Sequence, residues 1–198
     1  MTTVLQDNKQ YFADVSSMIS GKPVTVNEYK LSRKNAFVSL ANLSDAFNRM
    51  LSEPKNKQKN IRELHQFVVS NHMLTSHIAT LAYYEKTIKE KISFGDFSAF
   101  RASVVQKLDN AKLLLQHRQP EPETPGQREN LRVLNNKINS LTEQRKAELK
   151  QGITVSNTRK ELSALKPVAD QFNFISKIAG DLEKLSSNFS EDSHDQQS

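Results

Sequence analysis

Five histidines, His65, His72, His77, His117 and His194, are the side chains in this sequence best suited to bind a metal or move a proton near neutral pH. Their spacing argues against a shared site. On a helix His65 and His72 lie two turns apart and share a face. His77 is rotated about 140° from His72 at about 100° per residue, so the three do not converge. Glu191 and His194 make a lone Glu-x-x-His pair, whereas a di-iron bundle needs that pair on two helices plus two further glutamates. There is no His-Glu-x-x-His. With no Cys at all, a thiolate metal site, an iron–sulfur cluster, a disulfide scaffold and a cysteine nucleophile are excluded. No Gly-x-Ser-x-Gly elbow is present, and five glycines in 198 residues leave no glycine-rich phosphate loop. The sequence therefore points away from an enzyme, with no catalytic, cofactor-binding or metal-binding residue expected and no cofactor.

Basic residues are the next source of chemistry. There are 28 Lys+Arg against 22 Asp+Glu, a formal net charge of +6. Lys55, Lys57, Lys59 and Arg62 cluster ahead of a helix. Lys86, Lys89 and Lys91, and Arg145, Lys146 and Lys150, fall at helix ends, where cations oppose the helix dipole. Such a balance reads either as a solvated helix surface or as attraction to an anionic neighbour. No recognition helix or RNA-binding motif accompanies it, so nucleic acid is not an expected partner.

The elements carrying these residues are helical. Ser/Thr/Asn followed three residues later by Glu/Gln marks helix starts at Thr3/Gln6, Thr25/Glu28, Asn60/Glu63, Thr124/Gln127 (with Pro125 at the first helical position) and Thr158/Glu161. Stop signals lie at Gly21, Pro54, Gly95 and Gly152. Between them, apolar residues recur at three- and four-residue steps, as in Phe37, Leu40, Leu43 and Phe47, or Val168, Phe172, Ile175, Ile178 and Leu182. The fold class expected is all-α: an elongated bundle of about six helices, at roughly 3–19, 25–52, 60–92, 96–117, 125–150 and 158–187. Two of these, the third and the sixth, run to about 30 residues. Pro167 should kink or restart the sixth helix. The domain spans 1–186, with a disordered polar tail at 187–198. The N-terminus has no signal-peptide pattern, and no apolar run approaches the ~20 residues of a spanning helix.

Residues 28–84 hold a more specific pattern. Tyr29, Leu31, Arg33 and Lys34 open a helix that closes on Met50-Leu51-Ser52-Glu53-Pro54. The next helix carries Ser70, His72, Leu74, Thr75, His77 and Ile78, and Leu165-Lys166-Pro167-Val168-Ala169-Asp170-Gln171 lies in the closing helix. In these features the chain resembles the cytosolic, C-terminal helical domain of the fusaric-acid-resistance (FUSC) family of bacterial inner-membrane proteins, in its YccS-like branch. The resemblance implies a soluble part of a larger exporter of aromatic or other organic acids, at the cytoplasmic face of the inner membrane, with an assembly or regulatory role. Its partners would be the membrane part of its own parent protein, the anionic membrane surface and further copies of itself. It carries over no catalytic residue; Arg33 and Glu53 are its candidate interaction residues, which also read simply as a helix-surface and a helix-end charge. The alternative is a free-standing adaptor or scaffold that holds a partner helix in a groove.

Overall fold

The computed structural model describes residues 1–89, 98–122 and 125–191, with side chains described except at 86–89, 98–99, 125–134 and 190–191. Gly95, Thr124 and its cap on Gln127, His194 and the segment 192–198 fall outside what is described, as do the side chains of the Lys86–Lys91 cluster. Every secondary-structure element among the described residues is a helix: α1 Thr2–Ile19, α2 Val26–Leu51, α3 Ile61–Lys89, α4 Ser98–Leu114, α5 Pro125–Lys150 and α6 Asn157–Glu191.

Local chemistry sets most of the helix ends. Thr25 and Glu28 form a reciprocal capping box, the Thr25 amide donating to Glu28 Oε2 at 2.7 Å and the Glu28 amide to Thr25 Oγ1 at 3.2 Å. These bonds to Thr25 hold the Glu28 carboxyl below the usual carboxylate range. Gly21 (φ 71) and Gly152 (φ 77) close α1 and α5 in the left-handed conformation that glycine tolerates best. Their neighbours complete the closure, Lys22 N donating to Ser17 O and Ile153 N to Glu148 O, both at 2.9 Å.

Three expected ends move. At α1 the Thr3/Gln6 box does not form, because the helix begins at Thr2 with Met1 as an N-cap that makes no side-chain bond. For α6 the cap is Ser156, whose hydroxyl accepts from the Arg159 amide at 3.1 Å, so the helix starts ahead of the expected Thr158/Glu161 pair. Its other end also shifts. α6 continues unbroken through Pro167 to Glu191, taking in residues 187–191 that were expected in the tail. The reason is packing: Phe189 sets its ring edge-on to Phe67 at 6.1 Å and so extends the buried stripe by a turn. A stop with no glycine closes α4, where His117 takes a positive φ of 55° and Arg118 N reaches Leu113 O at 2.9 Å.

At 35 residues, α6 is about 52 Å long and forms the spine. Side-chain pairs give the helix directions. Lys9–Asp109 and Arg101–Ser17 make α1 and α4 antiparallel. Phe47–His65 and Ser44–His72 do so for α2 and α3. Phe67–Phe189 and His77–Phe174 do so for α3 and α6. Phe100–Phe172 and Asn110–Glu183 make α4 run parallel to α6. The core centres on Phe12, Phe100 and Phe172, whose rings meet edge to face with centroids 4.7–6.5 Å apart.

Candidate interaction surfaces

Polar side chains at the helix contacts hold helices to one another. At the α1–α3 contact Asn8, Asn71 and Thr75 are fully buried. Asn8 Nδ2 donates to Asn71 Oδ1 at 3.3 Å, and Thr75 Oγ1 lies 2.7 Å from Asn8 Oδ1 and 2.9 Å from the Asn71 carbonyl. Asn71 Nδ2 donates to the Phe67 carbonyl at 2.9 Å. Because buried amides need partners, this triad fixes the register of α1 on α3.

The histidines divide as their helical angles require. His65 and His72 face α2, with the His65 ring tilted 40° to Phe47 at 5.8 Å and His72 Nε2 2.8 Å from Ser44 Oγ. His77 turns towards α6, where Nδ1 pairs with Gln171 Oε1 at 2.8 Å and the ring stacks on Phe174 at 5.0 Å. Among the described residues no three His, Cys, Asp or Glu side chains lie close enough to hold a metal ion.

Arg33 and Glu53 are not brought together. Both are exposed, at opposite ends of α2 and about 30 Å apart along its axis. The Arg33 guanidinium lies over the Phe37 ring at 5.7 Å. Glu53 sits in the turn after α2, where its carbonyl accepts from Gln58 Nε2 at 2.7 Å. Below Arg33, the Tyr11 hydroxyl is buried with no hydrogen-bond partner. Burial and the neighbouring Tyr29 push its ionisation up, against the pull of Arg33.

Side chains strap the α5–α6 turn. Arg145 donates to the carbonyls of Ile153 and Thr154, each at 3.0 Å, and pairs with Glu148 at 3.0 Å. Hydrogen bonds from Ser156 and Thr158, with Arg145 close by, hold the Glu148 carboxyl below its ordinary range. The Pro-rich 119–122 segment is clamped by Asn110, which accepts from Glu121 N and donates to Glu121 O, both at 2.9 Å.

Grooves open between helices of the described residues. One, about 660 Å³, runs along α4 and α6 past Lys107, Ser176, Gly180 and Lys184. A second, about 440 Å³, lies between α3 and α6, lined by His65, Gln66, Val69 and Ser70 opposite Asp181, Lys184, Leu185 and Asn188. A third, about 350 Å³, lies where α1, α2 and α3 meet, among Val4, Leu43, Phe47 and Leu64. No helix among the described residues is long and apolar enough to cross a membrane. In comparisons with known proteins, the chain matches no family model, no curated protein and no solved structure.

Proposed function

We propose that this chain is a non-enzymatic helical assembly domain, the cytosolic part of an inner-membrane transport protein of the FUSC type. One observation carries the assembly role. The polar side chains best able to do chemistry, Asn8, Asn71, Thr75 and the α3 histidines, tie helices together, so what the bundle offers to other molecules is its surface. The membrane setting rests on the sequence resemblance over residues 28–84, and a net charge of +6 suits a domain beside an anionic leaflet.

Fractionation of the native gene product tests the membrane setting. A product that stays with membranes through high salt and alkaline carbonate is the expected result. A soluble product of this chain's own length refutes it. The second reading, a free-standing adaptor, is favoured by the groove of about 660 Å³ along α4 and α6, which is open along helix faces as a helix-binding site must be.

A further inference from the structure

Helix α3 has two uncharged faces, and the bundle covers only one. Residues 64–84, 21 in all, contain no Asp, Glu, Lys or Arg, in a chain where 25% of residues are charged and about five would be expected. The inner face, with Phe67, Leu74, Ile78 and Leu81, is buried in the core. Gln66, Val69, Met73, Ser76, Thr80 and Tyr83 form the outer face. Their steps of three, four, three, four and three residues are the a/d spacing of a coiled-coil seam, sustained for about 27 Å. Exposed on this line are Val69 at 39%, Met73 at 47% and Tyr83 at 78%. Exposed positions of α2, by contrast, include Lys30, Arg33, Lys34, Asp45 and Arg49.

We infer that this seam pairs with the same seam of a second copy of the chain, antiparallel about a two-fold axis between Met73 and Ser76. The inference rests on reading the bundle as an assembly domain. Three features select the occupant. First, the line is self-complementary about that axis: Met73 faces Ser76, Val69 faces Thr80, and Gln66 faces Tyr83 of the other copy, so a bulky side chain meets a small or hydrogen-bonding one each time. Second, Tyr83, which projects into solvent with the Tyr84 ring edge-on at 5.9 Å, comes opposite Gln66 of the other copy. There the groove of about 440 Å³ between α3 and α6 opens, lined by Gln66 and Val69. A protruding aromatic and a recess thus fall where the symmetry needs them, twice per dimer. Third, each copy carries +6, so like-charge repulsion opposes contact through faces that carry cations, and a seam without formal charge avoids that juxtaposition. The same face offers no lysine or arginine to the phosphates of a nucleic acid or an anionic membrane.

Sedimentation velocity on the purified 198-residue chain tests the pairing, with crosslinking to read the register. The expected result is a concentration-dependent dimer. Met73→Glu, which places two carboxylates in the dimer seam, should weaken it about 100-fold or more. Tyr83→Ala should weaken it about tenfold or more, an aromatic anchor being lost from each groove. Both positions are exposed, so unchanged far-UV circular dichroism and melting would separate loss of pairing from loss of fold. The chain lacks cysteine, so introduced thiols are its only ones. Val69→Cys with Thr80→Cys should crosslink efficiently and Val69→Cys alone should not. Efficient crosslinking by Val69→Cys alone means a parallel pair and overturns the inference. A monomer at high micromolar concentration, or a dimer indifferent to Met73→Glu, overturns it as well. A monomer that still fractionates with membranes would refute the seam and leave the membrane setting standing, while a soluble product that dimerises through the seam would do the opposite.

Discussion

The buried Asn8–Asn71–Thr75 triad yields a sharp prediction, because each single truncation orphans a different atom and the double truncation orphans none. Asn8→Ala removes the Asn8–Asn71 bond at 3.3 Å and leaves Asn71 Oδ1 buried without a donor. Thr75 loses Asn8 Oδ1 but keeps the Asn71 carbonyl at 2.9 Å. Asn71→Ala instead orphans Asn8 Nδ2, while Thr75 still donates to Asn8 Oδ1. An unsatisfied buried amide group costs about 1–3 kcal/mol. The double variant lacks both orphans and loses only the packing of two short side chains. Its destabilisation should therefore fall short of the sum of the singles by both orphan costs together, about 2–6 kcal/mol. A coupling of about 2 kcal/mol is roughly 4–8 °C of melting temperature for a chain of this size. Urea and thermal denaturation of the four proteins of the cycle, followed by circular dichroism, measure it. If the single effects add to within about 0.5 kcal/mol, the triad does not hold α1 on α3 as a coupled unit and the argument fails.

Two more predictions concern single groups. Tyr11→Phe should stabilise the fold by about 1 kcal/mol, since it removes a hydroxyl buried without a partner; a comparable loss in denaturant melts would show that Tyr29 bonds that hydroxyl. Glu28 and Glu148 both titrate below the ordinary glutamate range, so each binds its proton less readily folded than unfolded. Their contribution is present above the unfolded glutamate pKa, near 4.3, and is lost as pH falls through the lowered folded values. The stability difference between wild type and Glu148→Gln should accordingly be largest near neutral pH and shrink in the acid range; a difference independent of pH across melts from neutral to acid would count against this.

The legible parts of the molecule were those governed by neighbours in sequence. The Thr25/Glu28 cap, the stops at Gly21 and Gly152 and the angular separation of His77 from His65 and His72 all depend on residues within a turn or two. The α6 start was missed by two residues, because Ser156, Thr158 and Asn157 are all competent caps and the carboxylate of Glu148, in the preceding helix, helps position Ser156. The stop at His117 left no signal, since a histidine at positive φ is tolerated rather than demanded. Arg33 and Glu53 belong to one sequence pattern, yet the length of α2 separates them, Arg33 lying within the helix and Glu53 in the turn that follows it.

Helix α3 shows where sequence stops and tertiary structure begins. Composition and period alone determined that this chain is helical, that it has no cysteine chemistry, and that Gly21 and Gly152 end helices, although Gly180 lies inside α6. They could not decide which uncharged face of α3 enters the core. Leu64, Val68, Leu74, Ile78 and Leu81 follow helical steps, but so do Val69, Met73, Ser76, Thr80 and Tyr83. Only the packing of α1, α2 and α6 settled that, by burying the line that brings Asn71 and Thr75 to Asn8. The same packing carried α6 past its expected end, because Phe189 finds Phe67 122 residues away in the chain. Burial is a relation between distant segments, and a helical period specifies a face without specifying what covers it.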